Sequence, residues 1–344
     1  MTPGFVPADP RRPVGHSRGR GANTVGQNRS RVFLALLAVT LVLSGCSADS
    51  GRDDVAGYVE AAIAEMRDGI HADTDAFRDA VARVEPELKA KATIAETHRG
   101  LGELVVVAGG VHSWLQTPAD VASIAAQNAP AASFPVPTVS TRDGISILSL
   151  PGFQGEEPEA IARYESAGLQ AMRAAAAATT CGWIVDLRTN GGGNAWPMLA
   201  VVAPLLDDGD VVGLERDGQV QWARVADGGV VSTPGGDDTS SPGGFTVDTP
   251  VALLTSGMTN SAAEIVAIAF AGQADALRVG KPTAGMTTSN PVRDLSDGAR
   301  LILTTSYDVD RTGRVYDGPL APDIEAAPGP DLEAARAAVR SRCA

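Results

Sequence analysis

The sequence predicts an α/β protein in which a core of alternating strands and helices follows a helical segment. After residue 140, short apolar runs typical of strands alternate with longer helical patterns. Before residue 100, apolar residues recur at spacings of three and four with charges between them, as in amphipathic helices. These two patterns together indicate a helical unit in front of a strand–helix core.

An N-terminal leader precedes the part expected to fold. Residues 1–31 are polar and basic, and residues 32–43 form a nearly uninterrupted apolar run. The run is too short to span a bilayer but has the length of a signal-peptide core. It ends in LSGC, which is similar to the lipobox of bacterial lipoproteins, in which the cysteine is lipidated. We expect residues 1–45 to be a lipoprotein signal peptide, Cys46 to carry the lipid and residues 46–51 to be a tether. An ordinary signal peptide or a short anchor is the alternative.

This leader predicts a protein held by lipid on the extracytoplasmic face of the cell membrane. The whole chain has a net charge of −13. Without residues 1–45 the net charge is about −18, because the leader carries six arginines and one aspartate. So acidic a chain is not expected to bind nucleic acid, which is itself negatively charged, although a cationic substrate is compatible with it. Export also permits a disulfide between Cys181 and Cys343, and two separate thiols remain equally open.

Residues 52–100 predict an N-terminal helical domain of two or three helices. Asp73, Thr74 and Asp75 are candidate caps for the second helix, and Pro86 is a candidate break. His71 and His98 fall in or beside this region and are interpreted as surface or interhelix residues.

The next stretch carries a histidine in a different setting. ELVVVA, residues 103–108, predicts a strand that runs into a pair of glycines and then His112. A histidine on a loop after a regular element is a candidate functional residue, because function concentrates on such loops. Residues 118–142 are rich in proline and alanine and predict a loop or an irregular cap segment.

The core follows as strands and helices in turn. A glycine-rich loop, TNGGGN, comes directly after the apolar run WIVDL and Arg188, and its exposed backbone N–H groups suit a closely approaching ligand. A tight strand-to-helix turn is the structural alternative. Strands are predicted at residues 144–151, 183–187, 211–215, 219–225 and 299–307, a long helix within 156–180 and a short helix after Asp331.

Residues 251–285 predict a strand, a turn, a buried helix that opens at Ser261, and a second strand. A serine at a helix start lies where backbone N–H groups have no intrahelical partner, which suits an oxyanion and hence a nucleophile. Ser261 and Glu264 also form the S-x-x-E capping box, a purely structural motif. The residues alone leave both interpretations open.

Four segments, GGVHS, IVDLRTNGGGN, TNSAAE and VGKPTAG, occur in an order and spacing that resemble the S41 family of serine peptidases. The resemblance covers most of residues 100–325. It implies a crotonase/ClpP-like core of repeated strand–helix units at 101–330, including the cap segment, with the helical domain before it and a C-terminal helix at 331–344.

The resemblance also implies roles for individual residues. Ser261 matches the nucleophile. The N–H groups of Gly192, Gly193 and Ala262 match the oxyanion hole, and Glu264 matches a further position important in the family. Arg188 and Thr283 match supporting positions.

One departure concerns the catalytic base. Tail-specific members of the family use a lysine at the position of Met286, and a methionine cannot accept the proton of a hydroxyl. His112 is the candidate base. Some members of the family, among them the nisin resistance proteins and tricorn-type proteases, resemble this chain in having a histidine upstream of a serine in an S-A-x-E-type sequence. A neutral imidazole suits this role near pH 7. Glu264 is expected to orient His112 or simply to cap the helix.

A second departure is a missing module. Tail-specific peptidases carry a PDZ domain between the helical part and the core, and residues 113–143 are too few to hold one. Selection of substrate C-termini in a PDZ groove is therefore not expected. We expect the substrate to lie in a cleft between the helical segment, the cap and the core.

The sequence thus predicts an exported, lipid-anchored serine endopeptidase that acts on a peptide or protein with a Ser261–His112 dyad. No cofactor is expected, and no metal, because no cluster with metal-ligand spacing is visible. The alternative is a catalytically inactive S41-like protein that binds a peptide or an apolar ligand. A crotonase-type acyl-CoA enzyme is disfavoured because export removes access to acyl-CoA.

Overall fold

The N-terminal part of the fold is a bundle of three helices. The computed structural model describes residues 54–127, 134–235 and 243–343, so the predicted signal peptide, Cys46 and the tether lie outside the described residues. The helices share one apolar cluster that includes Tyr58, Phe77 and Leu101. They are α1 (Val55–Met66), α2 (Asp75–Lys89) and α3 (His98–Gly109).

The second helix begins as predicted but does not break. Thr74 is the N-cap of α2, and its hydroxyl accepts the N–H of Phe77. Pro86 lies inside the helix, which continues to Lys89. His98 opens α3 and contacts the Asp297 carboxylate, with 2.7 Å between Nε2 and Oδ2, so it joins the helices to a hairpin of the core.

The strand predicted for ELVVVA is wrong, because these residues belong to α3. Leu101, Leu104, Val105 and Ala108 are all buried, at spacings of three, one and three. A short apolar run fits a buried helix as well as a buried strand, and here packing against α1 and α2 decides for the helix. The helix ends at Gly110, with a φ of 80°, and His112 then lies on a loop.

A small antiparallel sheet covers the helical bundle. It has the order β1-β12-β11, and its Leu115 and Leu301 pack into the helical cluster. The helix α4 (Pro118–Gln127) follows β1, so part of the segment predicted as a loop or irregular cap is helical. The strands are β1 (Trp114–Gln116), β11 (Val292–Asp294) and β12 (Arg300–Ile302).

The centre of the core is a six-stranded sheet of order β14-β9-β8-β4-β3-β2, parallel except for β2. Its strands are β2 (Thr138–Arg142), β3 (Ile145–Ser149), β4 (Gly182–Asp186), β8 (Val251–Thr255), β9 (Ala276–Gly280) and β14 (Ile324–Glu325). Three helices follow its parallel strands in chain order, as strand–helix units require: α5 (Pro158–Ala176), α6 (Ala195–Val202) and α7 (Ala262–Ala269). The α/β class predicted from the alternation of strands and helices is confirmed.

Both faces of this sheet are covered. The helices α5, α6 and α7 enclose the largest apolar cluster, together with a second, antiparallel sheet of order β10-β13-β5-β6-β7. On the other face lies α8 (Asp331–Arg340), which a disulfide between Cys181 and Cys343 holds to the start of β4. The second sheet comprises β5 (Gly209–Arg216), β6 (Gln219–Ala226), β7 (Gly229–Ser232), β10 (Thr288–Ser289) and β13 (Ser306–Asp310).

Residues 299–307 do not form the single strand that their sequence predicts. They divide between β12 and β13, which lie in different sheets. The backbone between them bonds elsewhere: Thr304 N–H donates to Ser113 Oγ at 2.9 Å, and Thr304 C=O accepts from Ile70 N–H at 3.1 Å. Hydrogen bonds to residues distant in the sequence thus interrupt a run that looks like one strand when read locally.

Candidate active site

The candidate site lies at the edge where the carboxyl ends of β4 and β8 meet, the usual place for ligands in parallel α/β sheets. Several hydrogen bonds tie the loop after β4 to the loop after β8, among them the following two. Thr259 Oγ1 donates to Leu187 C=O at 2.9 Å, and Asn260 N–H donates to Asn190 C=O at 3.1 Å. The glycine loop and the serine turn predicted from separate parts of the sequence are therefore neighbours.

Ser261 is the N-cap of α7 and has a strained backbone, with φ 53° and ψ −118°. Among the described residues, the other non-glycine positions with positive φ are aspartates that each precede a glycine, namely Asp143, Asp217 and Asp227. Those aspartates occupy hairpin connections, where positive φ is ordinary. A serine in this conformation costs about 1–3 kcal/mol, and such strain concentrates at functional sites. The turn exposes the serine at the mouth of a helix in the manner of a nucleophile.

Gly192 packs directly against this serine. A Cβ on Gly192 would lie 2.8 Å from Asn260 C=O and 2.9 Å from Ser261 Cβ, and its φ is 96°. On Gly193, with φ 121°, a Cβ would lie 2.1 Å from Phe153 C=O. Only glycine combines these positive φ values with such close approach, which explains two glycines of the loop.

The three N–H groups expected to form the oxyanion hole are not equivalent. Gly192 N–H donates to the side-chain oxygen of Asn190 at 2.9 Å, so it is occupied in this structure. Gly193 N–H and Ala262 N–H have no acceptor within residues 54–127, 134–235 and 243–343. Ala262 is the first residue of α7, so its N–H is one of the donors that a helix leaves unpaired.

Asn190 is a site residue that the sequence reasoning did not single out. Its side chain is fully buried. Nδ2 donates to Leu150 C=O at 3.0 Å, and Oδ1 accepts from Gly192 N–H, so the amide fixes the loop to the end of β3. The feature of the sequence that could have identified Asn190 is its position inside TNGGGN. In such a loop a side-chain amide can hydrogen-bond to backbone groups that have no partner in a strand.

Glu264 is completely buried and accepts four hydrogen bonds. Oε2 takes the N–H groups of Ser261 at 2.9 Å and Met286 at 2.8 Å. Oε1 takes the N–H of Gly285 at 2.8 Å and the hydroxyl of Thr283. None of its hydrogen bonds reaches His112, so its contacts are those of a group that holds the serine turn to the segment 283–286.

His112 is half-buried on the loop between α3 and β1, and Nδ1 lies 2.9 Å from Thr288 Oγ1. Asn290 Nδ2 donates to the His112 C=O at 3.0 Å and fixes the loop from the same side. Burial lowers the pKa of His112 below 6.5, although a hydrogen bond with the Thr288 backbone opposes part of this effect. The imidazole is therefore neutral near pH 7, as a general base must be.

A short segment connects the histidine to the serine turn. The N–H of Met286 is held by Glu264, and two residues later Thr288 contacts His112. Two extended residues span roughly 7 Å. The structure therefore brings His112 to the segment that also borders Ser261, and it does so from 149 residues away in the sequence.

Arg188 and Thr283 have structural contacts. The Arg188 guanidinium lies between two carboxylates, with 2.6 Å to Asp186 and 3.0 Å to Asp331, so it connects the loop after β4 to α8. The Thr283 hydroxyl donates to Glu264 and accepts Leu320 N–H at 2.8 Å. Both residues support the site. In the described part of the chain, neither makes a hydrogen bond to the Ser261 hydroxyl.

Asp308 is the second buried carboxyl group behind the site. Its side chain is fully buried, and neither oxygen has a hydrogen-bond partner in the described part of the chain. Burial, and then the negative charge of Glu264, raise the pKa of Asp308 well above its ordinary value. Both effects favour the neutral form of the Asp308 carboxyl group.

The described residues contain no group of three or more histidine, cysteine, aspartate or glutamate side chains that could hold a metal ion. A cavity of about 250 Å³ lies at the far end of α7 and is lined by residues such as Gly272 and Arg278. It touches none of the predicted site residues. None of the described helices is both long enough and apolar enough to cross a membrane.

A serine on a strained strand-to-helix turn and a facing glycine loop lie at the carboxyl edge of a parallel α/β sheet, and a neutral histidine lies on a loop connected to them. This arrangement is that of a peptidase-like protein. The family follows from comparison with known proteins. The model of peptidase family S41 matches residues 144–326, more than half of the chain, and the chain belongs to that family. The match includes Ser261 and the glycine loop but not His112.

Individual relatives agree with this assignment. The nisin-resistance protein of Lactococcus lactis subsp. lactis is 27% identical over 272 residues, which are 78% of this chain and 82% of that protein. Among solved structures, a lipoprotein from Streptococcus agalactiae superposes with a TM-score of 0.72 at 24% identity, over 84% of this chain and 97% of that one. The photosystem II D1 C-terminal processing protease superposes with a TM-score of 0.59 at 15% identity, over 84% and 98%. These likenesses confirm the predicted fold of repeated strand–helix units.

Proposed function

We propose that this protein is an exported, lipid-anchored serine endopeptidase whose nucleophile is Ser261 and whose general base is His112. The observation that carries the proposal is the backbone of Ser261, φ 53° and ψ −118°, at the start of α7 and against Gly192. A capping serine needs no such strain, because N-cap residues ordinarily adopt extended backbone. Strain at this one serine favours a catalytic role over the capping role alone.

In the proposed reaction the Ser261 hydroxyl attacks the peptide carbonyl while His112 takes its proton. Nδ1 of His112 contacts Thr288, which leaves Nε2 as the nitrogen that accepts the proton and later donates it to the leaving amine. The N–H groups of Ala262 and Gly193 stabilise the oxyanion, since both lack acceptors in the described structure. Gly192 N–H joins them only if Asn190 releases it.

Glu264 acts in this proposal as a positioning residue. Its carboxylate accepts the N–H groups of Ser261, Gly285 and Met286, so it holds the serine turn against the segment that leads to Thr288. Met286 contributes only its backbone, because a thioether cannot serve as a base.

The proposed location rests on the leader. The LSGC sequence at Cys46 supports lipidation, and the first described helix begins at Val55, nine residues later. The similar protein from Streptococcus agalactiae is a lipoprotein by its own description. Replacement of Cys46 by serine should release the protein from the membrane fraction and abolish incorporation of labelled palmitate.

The proposed substrate is a peptide or an unstructured protein segment. Between His112 and residue 143 the described chain forms only β1, α4 and β2, with 128–133 undescribed, so the PDZ groove of tail-specific relatives has no counterpart of sufficient length. The similarity to a nisin-resistance protein supports a small exported peptide as the substrate. The net negative charge of the chain is compatible with a cationic one.

Peptide hydrolysis by three matched proteins tests the proposal. The unaltered protein should cleave a mixed pool of unstructured peptides, and Ser261→Ala and His112→Ala should each lose about 10³-fold or more in kcat, since members of a catalytic pair act as a unit. Circular dichroism and melting temperature show whether the variants are folded. Tight peptide binding without cleavage by the unaltered protein would instead support the binding-protein alternative, which Met286 in place of lysine favours.

A further inference from the structure

The small sheet beside the candidate base has two unlike faces. In the antiparallel register of β1, β12 and β11, Trp114 lies opposite Ile302, and Val292 lies opposite the same Ile302. The three side chains therefore form one row across the sheet, on one face, because residues directly opposite each other point the same way. We call Trp114, Ile302 and Val292 the apolar row.

The other face of this sheet is occupied by the helical bundle. The neighbouring row consists of Leu115, Leu301 and Arg293. Leu115 and Leu301 pack into the helical cluster, and Arg293 makes ion pairs with Glu65 and Asp68 at the end of α1 and just beyond it. Since side chains alternate along a strand, the apolar row must face away from the helices.

On that outer face the two ends of the apolar row are accessible. Trp114 is 41% exposed and Val292 is 45% exposed, whereas Ile302 between them is 5% exposed. The exposed tryptophan and valine flank the covered isoleucine, and we call this outer side of the apolar row the strip. Contiguous exposed apolar surface marks a binding surface more often than scattered apolar residues do.

The strip is continuous with the candidate active site. The Trp114 and His112 ring centroids are 6.2 Å apart. Asn290, two residues before Val292, donates to the His112 C=O at 3.0 Å. Both ends of the strip are thus fixed to the loop that carries the candidate base.

The strip is only one row wide. The next row on the same face consists of Gln116, Arg300 and Asp294, and Arg300 Nε lies 3.0 Å from Asp294 Oδ1. This polar row ends the apolar surface one pair beyond Trp114. The available surface therefore matches a single large side chain and not an extended apolar ligand.

We propose that the apolar row is a specificity subsite that binds one aliphatic or aromatic side chain of the substrate, next to the scissile bond. The proposal rests on the proposed peptidase function and adds the chemistry of one substrate position. Burial of a large apolar side chain is worth enough free energy to change kcat/KM by roughly 10- to 100-fold. Substrate positions beyond the bound apolar side chain contact Arg300 and Asp294 and therefore tolerate polar side chains.

The test starts from cleavage sites mapped by mass spectrometry in a mixed pool of unstructured peptides. Fluorescence-quenched peptides are then made that differ only in the residue on each side of the mapped bond, as Leu, Phe, Ser, Asp or Lys. The unaltered protein should prefer Leu or Phe over Ser at one of these positions by at least 10-fold in kcat/KM. Trp114→Ala should bring this preference ratio close to one, and Val292→Thr should reduce it less.

Two further variants separate recognition from folding. Val292→Asp should move the preference at the same position toward Lys, a gain that structural damage cannot produce. Val231→Thr is the matched control, since Val231 is an exposed valine of β7 in another sheet, and its preference ratio should equal that of the unaltered protein.

The outcomes are distinguishable from those of the proposed function. Cleavage without any apolar preference, or a preference that Trp114→Ala and Val292→Asp leave intact, overturns the subsite while the peptidase stands. Absence of both peptide cleavage and Ser261 labelling by a fluorophosphonate overturns the peptidase and the subsite together.

Discussion

The Nδ1 atom of His112 lies 2.9 Å from the hydroxyl of Thr288, a residue 176 positions later in the chain. Thr288 comes two residues after Met286, whose N–H binds the same Glu264 oxygen that holds the Ser261 N–H. One buried carboxylate and one short strand therefore connect the candidate base to the candidate nucleophile. The proposed dyad depends on this connection, because His112 and Ser261 lie in different elements of the fold.

The pH dependence of hydrolysis should report His112. The base must be neutral, and burial lowers the pKa of His112 from 6.5, so kcat/KM should stay high as the pH falls through 6.5 and decline only below the lowered pKa. Thr288→Val removes the hydroxyl at Nδ1 but keeps the Thr288 backbone, whose hydrogen bond is the contact that raises this pKa, so the acidic limb should stay where it is in the unaltered protein. It should also reduce kcat by roughly 10-fold, since the ring loses the partner that orients it. An acidic limb above pH 7 would contradict this account of the base.

The side chain of Met286 should not matter for the chemistry. Met286→Leu keeps volume and polarity, and such exchanges cost less than about 1.5 kcal/mol in stability. We expect its kcat to remain within about threefold of the unaltered value. His112→Ala, measured in parallel, should lose about 10³-fold. A large loss in Met286→Leu would show that the thioether has a role that this structure does not explain.

Glu264→Gln should impair the site severely. A glutamine has only one acceptor oxygen. Its amide nitrogen, itself a donor, would face the donors that now bind the second carboxylate oxygen of Glu264 and would leave them without an acceptor. Leaving buried donors unpaired costs about 1–3 kcal/mol each, and the serine turn should lose its geometry. The measurements are the urea midpoint and kcat.

The chain offers a matched control for that variant. Thr93 and Glu96 form the same type of capping pair at an exposed 3₁₀ helix, Ile94–Thr97, where Glu96 accepts the N–H groups of Ala92 and Thr93. Glu96→Gln should cost about 0.5 kcal/mol or less and leave kcat unchanged, since surface substitutions have small effects. Equal effects at Glu96 and Glu264 would mean that Glu264 is only a cap.

Asp308→Asn should change how stability depends on pH. Burial and Glu264 raise the pKa of Asp308, so the folded state holds a proton that the unfolded state releases above about pH 4. The unaltered protein therefore loses stability as the pH rises from 4 toward the raised pKa, by at most about 1.4 kcal/mol per pH unit. Asparagine has no such proton, so in urea titrations the stability of the variant relative to the unaltered protein should rise as the pH increases from 4 toward the raised pKa of Asp308. A difference that stays constant with pH would show that Asp308 is ionised in the folded protein.

Local patterns were sufficient for much of the fold. Buried strands such as Val251–Thr255 and the long helix after Pro158 follow from apolar runs, propensity and capping. ELVVVA was misassigned because a short apolar run fits a strand or a helix until its neighbours are known. Residues 303–305 leave their predicted strand because Ser113 and Ile70 bind Thr304, contacts that no local window contains.

The candidate site divides in the same way. The serine turn and the glycine loop have local motifs, and they were found. Asn190, which binds Gly192 N–H, was missed because its role depends on which loops meet in three dimensions. The contacts of Glu264 with Met286, and of His112 with Thr288, likewise required the folded chain.

The most direct test of the central claim is the rate at which a fluorophosphonate labels Ser261, followed by intact mass and peptide mapping. If His112 activates Ser261, a single adduct should form on Ser261, at a rate that falls as His112 becomes protonated. Labelling should be at least about 100-fold slower in His112→Ala and unchanged in Met286→Leu. No adduct on Ser261, or equally fast labelling in His112→Ala, would contradict it.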